Sequence, residues 1–255
     1  MSNIYKAFEN GKAFIAFLTA GDPNYTSSLK NILAAADGGA DLIEIGIPFS
    51  DPIAEGPVIQ NADIRALSAG MTTDKVFQLA HDVRQHTDIP LCFMTYLNPV
   101  FHYGYDSFFK KCSEEKIDGI IIPDMPFEEK NEVESVAVKY GVDVISLIAP
   151  TSESRIKSIA ESANGFIYVV SSMGVTGVRS EIKTDLESIC NTIRKYSAVP
   201  TAIGFGISTP EQAFKMSEYA DGVIVGSAIV RLVEKYGESA EGYIKEYVKS
   251  MKSAI

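Results

Sequence analysis

The chain of 255 residues has only three cysteines and three histidines, and none of them is spaced as a metal-binding or redox pair. Cys92, Cys112 and Cys190 lie far apart, and an odd number of thiols cannot pair completely. The sequence therefore predicts reduced cysteines in a cytoplasmic protein, and not a disulfide framework or a zinc site. The histidines form no cluster either, so we expect no metal.

Positive charge and long apolar runs are also scarce. There are 23 Lys and Arg residues against 33 Asp and Glu residues, which gives a formal net charge of −10. This balance argues against nucleic acid and anionic membranes as partners, because clusters of Lys and Arg bind both. No uncharged apolar run approaches the ~20 residues of a transmembrane helix. A bound phosphate group would have to be held by backbone N–H groups or a few local donors.

The chain does contain short apolar segments rich in β-branched residues, and these recur eight times. Segments of this length that are apolar on both faces are typical of parallel strands covered by helices. Helical patterns lie between them, and Thr209 to Gln212 has the form of a capping box with Pro210 at the first helical position. The predicted strands are Ala13–Leu18, Asp41–Gly46, Pro90–Thr95, Asp118–Ile122, Val142–Ile148, Gly165–Ser171, Val199–Ile203 and Asp221–Val225.

No linker rich in Pro, Gly or Ser interrupts these strand–helix units. They predict an α/β protein with one domain, residues 1–255, folded as a (β/α)₈ TIM barrel. An open doubly wound sheet is the alternative, but eight strand–helix units without a break favour a closed barrel. Active sites of such barrels lie at the C-terminal ends of the strands, so candidate residues are sought there.

The second predicted strand places a glutamate at its C-terminal end. Since side chains alternate along a strand, Glu44 points into the barrel if Ile43 and Ile45 face the helices. Burial there raises the pKa of a carboxyl group toward the range useful for general acid–base catalysis. The alternative is a buried ion pair. Glu55 follows in a loop bounded by Pro and Gly over the same end, where it is either functional or simply solvated.

Glycine-rich segments follow the seventh and eighth predicted strands, at Gly204–Gly206 and at Gly226. The loops at these two places, together with a helix N-terminus, form the phosphate site of many barrels. We therefore predict a phosphate site there, although a tight turn is the alternative for the first segment. The long sixth loop, residues 172–180, is rich in small residues and suits a lid that closes over substrate.

No lysine lies at the C-terminal end of any predicted strand, which disfavours a Schiff-base aldolase. Cofactor-free acid–base chemistry on a phosphorylated substrate remains. The residues alone leave three reactions open, namely isomerisation, epimerisation and retro-aldol cleavage.

Five motifs follow one another along the chain. They are Phe17-Leu18-Thr19-Ala20-Gly21-Asp22-Pro23, Glu44-Ile45-Gly46-Ile47-Pro48-Phe49-Ser50-Asp51-Pro52, Gly174-Val175-Thr176-Gly177, Gly204-Phe205-Gly206-Ile207-Ser208 and Gly226-Ser227-Ala228-Ile229-Val230. Through these motifs the sequence resembles the family of tryptophan synthase α subunits, from Phe14 to about Val233. The resemblance implies cleavage of indole-3-glycerol phosphate to indole and glyceraldehyde 3-phosphate.

The resemblance also implies roles for individual residues. Glu44 matches the catalytic glutamate that protonates C3 of the indole ring. Glu55 matches the second catalytic carboxylate, although the family usually has Asp there and the extra methylene changes its reach. The implied substrate-binding and phosphate-binding positions are Phe17, Tyr96, Tyr168, Thr176, Gly177, Phe205, Gly206, Gly226 and Ser227.

The family further implies a partner, the β subunit, which carries pyridoxal phosphate and receives indole in an α₂β₂ assembly. Asp51, Pro52, Asn98 and Pro99 match the surface that faces it, on the second and third loops. Two alternatives stay open. One is a free-standing indole-3-glycerol phosphate lyase, and the other is a weakly catalytic barrel that mainly activates β, for which the change at Glu55 gives a reason.

Overall fold

The computed structural model describes residues 2–170, 186–204 and 206–255. Within these ranges it has nine parallel strands in one sheet and eleven α-helices. The strands are β1 (Ala13–Thr19), β2 (Leu42–Gly46), β3 (Leu91–Met94), β4 (Gly119–Ile121), β5 (Asp143–Val144), β6 (Ser146–Ile148), β7 (Ile167–Val170), β8 (Thr201–Gly204) and β9 (Gly222–Val225).

Helices follow the strands and cover the outside of the sheet. They are α1 (Tyr25–Asp37), α2 (Pro57–Ser68), α3 (Thr73–Arg84), α4 (Leu97–Tyr103), α5 (Tyr105–Glu114), α6 (Lys130–Ala137), α7 (Glu153–Glu161), α8 (Leu186–Tyr196), α9 (Pro210–Ser217), α10 (Ser227–Tyr236) and α11 (Glu241–Lys252). The predicted capping box is confirmed, because the side chains of Thr209 and Gln212 each bond the backbone of the other at the start of α9.

The nine strands curve round into a barrel, which confirms the predicted (β/α)₈ fold. Strand β1 pairs with both β2 and β9, and the two ends of the sheet are β5 and β6. These two are consecutive in the chain and are separated only by Ile145, whose N–H donates to the Ile120 carbonyl at 2.9 Å. The chain itself therefore bridges the gap.

The prediction of one continuous fifth strand was wrong, since β5 pairs with β4 and β6 pairs with β7. Strands of a barrel are tilted and staggered, so the first half of a short strand can contact one neighbour and the second half the other.

Alternation along the strands separates two apolar layers. Side chains such as Ile43 and Ile45 pack outward against the helices, in one cluster with Phe77 of α3. The inner layer fills the barrel and includes Ile15, Phe17, Leu42, Cys92, Met94, Ile121, Ile145, Tyr168, Ala202 and Ile224. Among the residues described, no helix combines the length and apolar character needed to cross a membrane.

A short 3₁₀ helix, Ile4–Phe8, covers the N-terminal end of the barrel. Ile4 is fully buried, and a Cβ on Gly119 would come within 2.7 Å of its Cδ1 atom. The Asn3 N–H donates to the Asp118 carboxylate at 2.9 Å and fixes this segment. The segment therefore covers the barrel interior at this end, and a cleft of about 750 Å³ lies on the surface beside it, lined by residues that include Tyr5, Phe8 and Lys12.

Candidate active site

Glu44 lies on β2 and points into the barrel, as the alternation predicted. It stands in register between Phe17 of β1 and Cys92 of β3, and only 1% of its surface is exposed. Within the described residues its Oε1 atom has no hydrogen-bond partner and no cation pairs with it. Burial raises the pKa of Glu44 to about 8, because the charged form loses its hydration. The carboxyl group therefore holds a proton at neutral pH and can act as an acid.

Glu55 lies in the loop between β2 and α2 and is also buried, with 6% of its surface exposed. Tyr96, just after β3, donates its phenolic hydrogen to the Glu55 carboxylate. The same phenolic oxygen accepts the Ala54 N–H at 2.8 Å, and Gln60 of α2 donates to the Glu55 carbonyl at 2.8 Å. Burial raises the pKa of Glu55, and the bond from Tyr96 partly opposes this by favouring the ionised form.

Phe17 and Tyr168 form apolar walls beside Glu44 inside the barrel. Glycines give these rings their space, because a Cβ on Gly46 would come within 2.6 Å of the Phe17 Cζ atom. Gly204 leaves room for the Tyr168 ring in the same way. Burial, and secondly the charge of Glu44, raise the pKa of Tyr168 well above its usual value.

A cavity of about 390 Å³ opens between the ends of β4, β6 and β7. Its apolar lining includes Ile122, Ile145, Leu147 and Val170. Ile145 also belongs to the inner layer, so this cavity adjoins the interior into which Glu44 points. The position suits a flat apolar group. None of these four residues was predicted from the sequence. An aliphatic residue that lines a site has the same sequence pattern as one that packs in the core.

The predicted phosphate positions lie at the ends of β8 and β9. Gly206 has a φ of +80°, which a residue with a side chain rarely adopts. Ser227 begins α10 directly after Gly226, so the N-terminus of that helix lies at the C-terminal end of β9, where its first N–H groups have no intrahelical partner. A Cβ on Gly226 would stand 3.2 Å from the Phe17 Cδ1 atom, which places this end of the site beside the aromatic wall.

Three predicted substrate residues, Thr176, Gly177 and Phe205, lie outside the described residues, as does the proposed lid at 172–180. Their roles stay predictions. Within the described ranges no group of three or more His, Cys, Asp or Glu side chains is arranged to hold a metal ion.

The predicted partner residues lie at the same end of the barrel, and two of them were assigned to the wrong kind of element. Asp51 is exposed and Pro52 half-buried in the loop after β2. Asn98 and Pro99 were expected in a loop, but they lie in the first turn of α4. Proline is tolerated there because the first N–H groups of a helix have no intrahelical partner.

Sequence reasoning missed two buried carboxyl groups, Asp63 and Asp22. Asp63, on α2, is 6% exposed and belongs to the buried face of that helix with Ile59, Ala62 and Ala66. Asp22 is 3% exposed and accepts two hydrogen bonds from the Arg65 guanidinium, at 2.7 and 2.8 Å. An aspartate within the apolar stripe of an amphipathic helix was the signal that could have revealed Asp63.

A closed parallel barrel with two buried carboxyl groups at its mouth, and glycine-rich loops after its last two strands, belongs to the class of (β/α)₈-barrel enzymes that use acid–base chemistry. Comparison with known proteins defines the family more closely. The family model for the tryptophan synthase alpha chain matches residues 5–255. The chain belongs to this family.

Individual relatives agree over the whole length. The tryptophan synthase alpha chain of Lacticaseibacillus casei is 51% identical, over 100% of this chain and 96% of the relative. A tryptophan synthase structure from Mycobacterium tuberculosis superposes with a TM-score of 0.91 at 29% identity, covering 100% of this chain and 98% of that one. A structure of the α₂β₂ complex from Pyrococcus furiosus gives 0.86 at 34% identity, covering 95% and 99%.

Proposed function

We propose that the chain acts as the α subunit of tryptophan synthase in the cytoplasm, as one domain, and cleaves indole-3-glycerol phosphate to indole and glyceraldehyde 3-phosphate. The observation that carries the proposal is the state of Glu44. A carboxyl group that is buried without a cation partner among the described residues keeps its proton at neutral pH, and the reaction begins by protonating carbon.

In the first step Glu44 gives its proton to C3 of the indole ring, and the ionised Glu55 takes the proton from the indole nitrogen. The ring is then an indolenine, whose C=N bond can accept electrons. The Glu44 carboxylate next removes the proton of the adjacent glycerol hydroxyl. As the C–C bond breaks, its electrons return to the ring, the aldehyde forms, and Glu55 returns its proton to nitrogen.

The remaining site residues hold the substrate. Phe17, Tyr168 and the cavity beside β6 and β7 supply apolar surface for the indole ring. The N–H groups at Gly206, Gly226 and Ser227, with Gly177 from the sixth loop, would bind the phosphate. Backbone donors of this kind suit a chain with a net charge of −10, because they bind an anion without Lys or Arg side chains. The chain needs no cofactor of its own for these steps.

The partner would be a β subunit that carries pyridoxal phosphate, docked over Asp51, Pro52, Asn98 and Pro99. The solved α₂β₂ complex of the relative from Pyrococcus furiosus supports this assembly. Two large apolar side chains lie near these positions in the sequence. Ile53 is 73% exposed and Phe101 is 69% exposed, and apolar surface of this kind is typical of a protein–protein interface.

Indole release from indole-3-glycerol phosphate by the purified chain, measured with and without a cognate β subunit, tests the proposal. Slow release that β accelerates in a saturable way is expected. Fast release unaffected by β would identify a free-standing lyase. Stimulation of the β reaction with no cleavage at all would identify an activator.

A further inference from the structure

Gln60 lies in the first turn of α2 and is half-buried. Its side-chain Nε2 donates to the main-chain carbonyl of Glu55 at 2.8 Å, across the point where the loop after β2 becomes the helix. Polar side chains at the start of a helix usually bond N–H groups at that helix end. Gln60 bonds a carbonyl that precedes the helix instead, so this bond does not cap α2.

The start of α2 has its own support. Gly56 is the N-cap, and its carbonyl accepts the main-chain N–H groups of Ile59 and Gln60, each at 3.1 Å. Pro57 follows at the first helical position, where its fixed φ favours the helix and no intrahelical N–H bond is lost. The side chain of Gln60 therefore adds a separate link, from the helix to Glu55.

This link restrains the peptide plane that follows Glu55. Each residue has two soft backbone dihedrals, so holding the Glu55 carbonyl restricts ψ of that residue and the direction in which its side chain leaves the main chain. Tyr96 donates to the carboxylate at the far end of the same side chain, and its phenolic oxygen accepts the Ala54 N–H at 2.8 Å. Glu55 is thus held at its carbonyl from α2 and at its carboxylate from the end of β3.

We propose that Gln60 is a positioning residue for Glu55: by holding the Glu55 carbonyl, it keeps the carboxylate where the proton of the indole nitrogen is accepted. The inference rests on the proposed function for its kinetic consequence, whereas the contact itself does not depend on that function. Loss of the amide donor leaves the carboxylate and Tyr96 in place but frees the main chain of Glu55. The chemical step should therefore suffer more than substrate binding.

Gln60→Met tests the kinetic part. Methionine has nearly the same length and also favours helices, but it has no N–H donor. We expect Gln60→Met to lower kcat about 10-fold, with KM for indole-3-glycerol phosphate changed less than about 3-fold, because a displacement of about 1 Å can cost ~10²-fold. Gln60→Ala removes the same donor and has a higher helix propensity, so it should show the same loss.

Gln78→Met is the matched control. Gln78 is exposed on α3, and its side-chain amide donates to Asp82 at 3.0 Å, so the substitution removes a similar bond from an outer helix. This variant should keep more than about half of the wild-type kcat, as is usual for a surface substitution.

A double-mutant cycle shows whether Gln60 acts through Glu55. In a Glu55→Ala background, Gln60→Met should have little further effect on the remaining rate. The same fold loss in both backgrounds would overturn the proposal. So would a Gln60→Met enzyme with more than half of the wild-type kcat, or a loss confined to KM.

The contact can also be tested without turnover. A hydrogen bond to a carbonyl oxygen deshields the carbonyl carbon, so the ¹³C′ NMR resonance of Glu55 should move upfield in Gln60→Met and Gln60→Ala and stay in place in Gln78→Met. An unmoved resonance would overturn the positioning role. Failure of both Gln60 variants to fold would overturn it too, by showing that the bond supports the whole fold. If the resonance moves but the wild-type chain releases no indole, the proposed function fails and the contact between Gln60 and Glu55 remains.

Discussion

Tyr96 and Glu55 are 41 residues apart in sequence, and the phenol of the first donates a hydrogen bond to the carboxylate of the second. The bond joins the end of β3 to the loop after β2. It favours the ionised form of Glu55, the form that must accept the indole proton in the proposed mechanism. An aromatic residue expected only to contact substrate therefore also bonds the carboxylate that we propose to be catalytic.

Tyr96→Phe should shift the acidic limb of the pH profile of kcat/KM to higher pH. The hydrogen bond lowers the pKa of Glu55 against the effect of burial, so its loss lets that pKa rise. The activity lost should then be larger at pH 6 than at pH 8. Profiles of the wild type, Tyr96→Phe and the control Tyr103→Phe, which removes a similar bond to Asp74 outside the site, would decide this. An unchanged limb in Tyr96→Phe would show that the bond does not influence Glu55.

Glu44→Gln should nearly abolish indole formation while leaving the affinity for glycerol phosphate close to that of the wild type. Glutamine keeps the shape of the side chain but cannot donate and then accept a proton, and such groups contribute typically ~10²–10⁴-fold to the rate. Steady-state kinetics and a phosphate-ligand titration measure the two quantities. More than half of wild-type activity would remove Glu44 from its catalytic role.

The same substitution should stabilise the fold, and more so at high pH. The pKa of Glu44 is raised from 4.5 to about 8, so the folded state binds its proton more tightly than the unfolded state. The stability linked to this proton is fully present below pH 4.5 and is lost as the pH rises through about 8. Glutamine removes this dependence.

The unfolding free energy of Glu44→Gln should therefore exceed that of the wild type by a few kcal/mol, on the order of 2–4, at pH 8.5 and by less at pH 5. Urea titrations at both pH values measure it, with the exposed Glu187→Gln as control. Equal differences at the two pH values would contradict the buried, protonated state of Glu44.

Glu55→Asp should keep substantial activity, because most relatives of this family are expected to use aspartate in this place. Glu55→Ala should lose most of it, since no carboxylate remains to accept the indole proton. Turnover of both variants at saturating substrate provides the measurement. An alanine variant as active as the wild type would mean that water or another group takes that proton.

Asp51→Ala should weaken activation by a β subunit more than it weakens basal turnover. Asp51 is exposed at the barrel mouth on the loop that also carries Glu55, and it is assigned to docking and not to bond breaking. Titration of β against the wild type and the variant, followed by indole formation, measures both rates. If basal and activated rates fall by the same factor, the loop does not couple docking to catalysis.

The sequence alone determined the barrel and the orientation of Glu44. Both follow from periodicity, since an apolar segment alternating with helices predicts a parallel strand, and the position of a residue within it predicts the face it occupies. Ile43 and Ile45 do face the helices, and Glu44 faces the interior. The start of α9 was predicted from a local pattern as well, the capping box of Thr209 and Gln212.

Only the tertiary structure decided how the residues around Glu55 act together. Tyr96, Phe49 and Glu55 meet because the loop after β2 lies beside the end of β3 in the folded barrel, and no local pattern specifies contacts between such separate segments. The division of the fifth strand at Ile145 has the same origin, because the stagger of a closed barrel depends on all its strands at once. Periodicity specifies the face on which a side chain lies, and barrel closure specifies which side chains it meets.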